Sequence, residues 1–223
     1  RVEVLTEGVH SGAAGGIVPS SFRIARALLD RIEASSDGRL LIDELYPEIP
    51  DERRAQAAQS AETLGRPPTF PWAGGTRPAT DDVAEQLLDR TWRPALEVIG
   101  ADGLPALADA GNVARPTTTL GLSIRIPPGV DPDAITARLT ELLTADPPSG
   151  ATVTVSPGWG ATGWDAPPTA SWLAAALHAS STAWFDEEPR SIGEGGTIPF
   201  MAMLGEQFPN AQFVVTGVLG PGS

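Results

Sequence analysis

Cysteine is absent from all 223 residues, which excludes disulfides and any metal centre built on thiolate. Lysine is absent too, so the 15 basic side chains are all arginines, set against 28 carboxylates. The net charge of −13 argues against a nucleic-acid partner, whose phosphates it would repel. No apolar run has the length that a bilayer span needs, and no secretory leader is visible. Only two histidines occur, His10 and His178. The spacings H-x-D, H-E-x-x-H and C-x-x-C are all missing, so this chain alone is not expected to bind zinc. No G-x-S-x-G elbow supports a Ser-His-Asp triad.

What is present is glycine and proline, 24 and 22 residues, and with them many turns. The length allows one large domain or two small ones and a proper core. The chain opens on the strand-like "RVEVL" and closes just after the apolar "FVVTGVL", so the expectation is a portion of a longer enzyme. "RVEVLTEG" puts Val2, Val4 and Thr6 on one face of a half-buried strand. "FRIARALLDRI" carries Ala25, Leu28, Leu29 and Ile32 at helical spacing, with Ser20 or Ser21 as N-cap and Asp37-Gly38 as exit. Residues 38–80 read as an insertion with short helices around "DERRAQAAQSAETLG". "DDVAEQLLDRTW" is another short helix, and "ALEVIG" a short strand.

"TTTLGLSIRIPPG" has the clearest pattern. Thr118, Leu120, Leu122, Ile124 and Ile126 share one face; Thr117, Thr119, Gly121, Ser123 and Arg125 share the other. "VDPDAITARLTELL" follows, with Asp131 as N-cap and Pro132 at the first helical position. "ATVTVS" is a strand. The order β-α-(insertion)-β-β-α-β predicts an α+β fold, a ferredoxin-like domain whose antiparallel sheet carries two helices on one face. After Pro157 the character changes. A Gly- and Trp-rich crossing leads to a helix, "TASWLAAALHASSTAWF". A glycine turn then opens a second helix near Pro199, and "AQFVVTGVL" reads as a strand buried on both faces of a parallel sheet. Residues 1–157 and 158–223 are therefore expected to be two units, the second an incomplete α/β portion.

Three features could carry chemistry. A lone histidine is usually a surface or hydrogen-bonded filler, and taken alone His10 is no more than that; His178, inside an Ala-rich helix, is a packed or exposed helix residue. Arg125 projects from the polar face of its strand. It is either a solvated side chain or the binder of an anionic group, since its fork matches carboxylate. In "EGGTIP", residues 194–199, two glycines let backbone approach a ligand, and the following helix offers free N–H groups. The alternative is a plain helix entry.

Taken together, these stretches resemble the di-zinc aminoacylase/carnosinase metallopeptidases, peptidase family M-twenty. "GVHSGAAGGIVPS" looks like the family's H-S-G-x-x-G-G-x-x-P segment at the start of the lid, or dimerisation, domain. "RPALEVIGADG", "GNVARP" and "LSIRIPPGVDP" look like later lid segments in the family's order, and "EGGTIP" like its G-G-[ST]-I-P segment. The resemblance implies that His10 reaches across a homodimer as an oxyanion donor to the scissile carbonyl, with Asn112 close to the same place. It implies that Arg125, Gly196 and Thr197 hold the substrate carboxylate.

None of the family's metal-ligand motifs appears, so two zinc ions are expected in the intact enzyme and none in this chain alone. Ala13 stands where an acidic residue is frequent. The implied activity is that of a cytoplasmic dipeptidase or related amidohydrolase, with the intact protein an enzyme and these 223 residues inactive by themselves. The insertion after the first lid helix favours a dipeptidase over the rival N-acyl-amino-acid deacylase. The other class of reading is a non-catalytic ferredoxin-like dimerisation or ligand-binding module.

Overall fold

The computed structural model describes residues 1–65, 70–195 and 199–217. Its elements are β1 (Val2–Glu3), β2 (Val9–His10), α1 (Ser11–Ala14), α2 (Ser21–Leu29), α3 (Asp51–Leu64), α4 (Val83–Trp92), β3 (Ala95–Asp102), β4 (Val113–Ala114), β5 (Thr117–Arg125), α5 (Pro132–Thr144), β6 (Thr152–Val153), α6 (Ser171–Phe185) and α7 (Pro199–Gln207). The main sheet has the order β3-β5-β1-β6, antiparallel at every pairing. Counting these four strands along the chain, that is second, third, first, fourth, the ferredoxin-like order.

The alternation in β5 decides where the core lies. Its even-numbered residues turn toward α2 and α5. Leu122 and Ile124 pack with Ile32, Ile135, Leu139 and Leu142; Leu120 packs with Val2, Ile24, Ala25 and Leu28. At Thr118 the same face is polar, and a partner is supplied. Ser21 Oγ lies 2.9 Å from Thr118 Oγ1, both side chains buried, which ties the first turn of α2 to the sheet. The helix ends are satisfied as their residues predict. Ser20 Oγ accepts from Arg23 N at the start of α2. Asp131 Oδ1 accepts from Asp133 N at the start of α5, with Pro132 in its first turn. Arg31 caps the other end of α5, donating to the carbonyls of Leu142 and Asp146 at 3.1 and 2.9 Å, groups a helix leaves without intrahelical partners.

Three elements differ from expectation. The first strand is cut short, with ladder pairing only at Val2–Glu3; Val4 and Leu5 N–H then share the Pro116 carbonyl, and pairing resumes as β2 against β4. Second, the insertion holds one 14-residue helix, α3, closed by Gly65 at φ 60°. It pairs with α4 as a helical hairpin around Ile49, Ala57, Leu87, Leu88 and Trp92. Third, the described part of "AQFVVTGVL", residues 211–217, is not a buried strand. Residues 211–217 have no strand pairing and Val214 and Val215 are 51% and 72% exposed. A strand's backbone groups need a neighbouring strand, and none lies beside this segment among the described residues. The same lack of cover shows on α6, none of whose residues is buried. No helix among the described residues is long and apolar enough to cross a membrane.

Candidate functional site

His10 and Asn112 come together through the β2–β4 ladder. His10 pairs with Val113, Val9 with Ala114, and Ser11 N donates to the Asn112 carbonyl at 2.8 Å. Both residues are exposed. His10 is also the N-cap of α1, and its Nδ1 accepts from Gly12 N at 3.1 Å. That bond uses the Nδ1 lone pair, so the proton of a neutral ring sits on Nε2 and makes it a donor. The same bond is what an N-cap makes at the start of a helix, and it leaves Nε2 pointing elsewhere.

Gly12 explains part of the H-S-G pattern. A Cβ there would lie 3.1 Å from both Cε1 and Nδ1 of His10, tight enough to displace the imidazole. Sequence reasoning missed Gly12. The signal available was a capping residue with an acceptor atom two positions before a glycine.

Arg125 is elsewhere. It is the last residue of β5, opposite Ala95, and exposed on the sheet face away from α2 and α5. β2–β4 follows β1–β5 in the chain but is a separate two-stranded sheet in a shifted register, so His10 is on that ladder and Arg125 at the far end of β5. Eight residue steps along β5 at a rise of ~3.3 Å put its own two ends, Thr117 and Arg125, about 26 Å apart. Gly196 and Thr197 lie outside the described residues. His178 is exposed on α6.

Gly195 is described, and it shows a use for the glycine pair other than approach to a ligand. A Cβ at Gly195 would fall on the Arg90 carbonyl oxygen at the end of α4, and one at Gly193 would lie 2.7 Å from Thr91 Cγ2. The segment before Gly196 is thus pressed against the α3–α4 hairpin.

The family's metal does not fit the side chains present. Among the described residues no three His, Asp or Glu side chains converge, and the two histidines lie on separate elements, β2 and α6. No chemical step is derived through a metal for this chain.

The family model for the Peptidase dimerisation domain matches residues 1–151. A curated relative, cysteinylglycine-S-conjugate dipeptidase of Corynebacterium striatum, is 27% identical over 99% of this chain and 47% of its own length. Among solved structures, the di-peptidase Dug1p of Saccharomyces cerevisiae superposes with a TM-score of 0.66 at 18% identity, over 93% of this chain and 44% of that one. Human carnosine dipeptidase 1 also gives 0.66, at 21% identity over 92% and 44%. A metallo-carboxypeptidase from Sulfolobus solfataricus gives 0.63, at 15% identity over 93% and 53%. The chain spans about half the length of the curated relative it matches. With the family match over two thirds of the residues and the ferredoxin-like strand order beneath it, the chain belongs to the M-twenty metallopeptidases and carries their dimerisation domain.

Proposed function

We propose that residues 1–157 are the lid of a cytoplasmic dipeptidase and residues 158–223 a part of its catalytic domain. The two zinc ions of the intact enzyme would be ligated from outside the described residues. The observation that carries this reading is that similarity to a dipeptidase runs through 99% of the chain, beyond the dimerisation domain's last matched residue, 151.

In this reading Arg125, Gly196 and Thr197 grip the substrate's terminal carboxylate, Arg125 through its two-pronged donor face. His10, its Nδ1 occupied by Gly12 N–H, offers Nε2–H to the scissile carbonyl oxygen as negative charge builds there, with Asn112 beside it. Such a donor is worth about 10²–10³ in turnover. In this reading His10 and Arg125 come to one substrate from two copies, a homodimer that the dimerisation-domain match supports.

The test uses the intact enzyme with cysteinylglycine-type dipeptides and N-acetyl amino acids side by side. Dipeptide cleavage that a chelator abolishes and zinc restores is expected. Preferential cleavage of the N-acetyl amino acids would replace the reading with a deacylase. No cleavage of either, with dimerisation intact, would leave a non-catalytic module.

A further inference from the structure

Gly160, Gly163 and Gly205 stand where the backbone makes no demand for glycine, since each keeps φ outside the left-handed region. Gly205 even lies within α7, where glycine weakens a helix relative to alanine. Space is what calls for them. A Cβ at Gly160 would lie 2.9 Å from Pro132 Cβ, one at Gly163 2.8 Å from Pro128 N, and one at Gly205 2.6 Å from Trp164 Nε1. The contacts mark a single path, the crossing that leads out of the lid after Pro157.

On one side this crossing is seated on the lid. Gly163 forms an isolated parallel bridge with Pro128, which follows Arg125 by three residues. The turn that carries Pro128 is itself fixed to the sheet. Pro127 is fully buried, and Ile126 and Val130 pack in the cluster that holds Leu122, Ile124 and Ile135. On the other side the crossing is seated on the C-terminal portion. The Trp164 ring meets Phe213 edge to face, centroids 5.5 Å apart, and lies against Gly205 of α7. Further on, Ala170 N donates to Gln212 Oε1 at 2.7 Å, beside Phe213.

These contacts are unequal. Asp165 meets Arg53 at 2.9 Å, but its side chain is 47% exposed, and such pairs are worth little. The indole offers more, through its large apolar area and the edge-to-face geometry. Two consecutive residues thus join the strand end bearing Arg125 to α7 and Phe213, Gly163 by fit against the lid turn and Trp164 by packing.

We propose that Trp164 is a positioning residue that sets how the C-terminal portion stands relative to Arg125. The inference rests on the assignment of Arg125 to the substrate carboxylate and of residues 158–223 to the catalytic domain. Trp164 is not asked to touch the substrate. Its effect falls on substrate grip, because a small displacement of Arg125 from the rest of the site spoils the alignment of its fork with a carboxylate.

The experiment compares Gly205→Ala, Trp164→Phe, the two together, and Arg125→Ala in the intact enzyme. Each is assayed on a substrate with a free carboxylate and on the same compound as its C-terminal amide. Gly205→Ala raises the helix propensity of α7, so any loosening comes from the methyl pushing the indole away. The expected result is a KM for the free acid raised by about fivefold to tenfold, with kcat within about threefold and the preference for acid over amide reduced by a similar factor. The smaller ring of Trp164→Phe leaves room for that methyl, so the double variant should be less impaired than Gly205→Ala alone, a coupling that independent sites do not show. An acid-over-amide preference unchanged in Gly205→Ala, while Arg125→Ala lowers it, would overturn the proposal, as would a double variant no better than the single one.

Hydrogen exchange of the same proteins gives a second readout. Peptides covering 160–166 and 205–213 should exchange faster in Gly205→Ala, with the α5 peptide unchanged, and should return toward the parent in the double variant. If Arg125→Ala leaves the preference intact, or if no substrate is turned over, the carboxylate reading has failed and this exchange alone decides the seating of Trp164. Unchanged exchange in Gly205→Ala overturns it.

Discussion

If the substrate site is assembled from two copies, two dead variants should rescue each other. His10 lies on the β2–β4 ladder and Arg125 at the last residue of β5, whose own ends are about 26 Å apart. The perturbation is to make His10→Ala and Arg125→Ala separately in the intact enzyme, then co-express or unfold and mix them. Each homodimer is expected to be crippled, the first by about 10²–10³ in kcat through loss of the oxyanion donor. Random pairing of two copies makes about half of the dimers mixed. In a mixed dimer one site combines the Arg125 of one protomer with the partner's His10, and both are intact; the other site lacks both. One working site in two, in half of the dimers, gives about a quarter of the parental turnover. The assay is initial rate at dipeptide well below KM against the mixing ratio, which should peak near equal amounts. Activity that never rises above that of the better homodimer, with subunit exchange demonstrated by differently tagged chains, would refute an active site shared between copies.

The remaining predictions concern single positions. Gly12→Ala places a methyl 3.1 Å from His10 Cε1 and Nδ1 and, by shifting an exposed ring a few tenths of an ångström, should lower kcat by a few-fold with KM little changed; unchanged kcat would detach His10 from the chemistry. Ser21→Ala strands the buried Thr118 hydroxyl and should cost about 1–3 kcal/mol in urea unfolding, while adding Thr118→Val should cost less than the sum of the two single changes; purely additive losses would show that the pair is not coupled. At Glu33, burial and then the nearby Glu97 push the carboxyl above its usual range. The folded state thus favours the protonated form, so the stabilisation is complete below the ordinary glutamate value and is lost as pH rises through the raised one. Glu33→Gln should therefore stabilise at pH 7 by less than about 1 kcal/mol, after allowing for solvent screening, and not at all in acid; thermal melts with the opposite pH trend would reverse the assignment.

What could be read from the residues, and what could not, divides by range. Asp131 and Pro132 announce the start of α5 because a cap and a fixed φ act within one turn, and the structure has both. β5 announces itself because one face meets α2 and α5 and the other does not, so every second residue must change character. The apolar "FVVTGVL" misleads for the opposite reason. Its composition says that the segment suits burial, but pairing partners are a property of other segments, and among the described residues none comes alongside. The hairpin's hold on 191–195 leaves no local trace at all: Ser60 and Ser191 are 131 positions apart, and a serine on α3 reads as an ordinary helix-surface residue until its burial is seen. Gly195 was open to a ligand-facing reading because glycine records only that something comes close, not what.

His10 combines both cases. Two neighbours in the chain, Ser11 and Gly12, suffice to cap a short helix with its imidazole, and that much is local. Which substrate it faces is not, because that depends on residues far from it in the chain. Whether it serves a substrate that Arg125 holds, and from which copy, is decided by the pairing of His10→Ala with Arg125→Ala rather than by any local feature of the sequence.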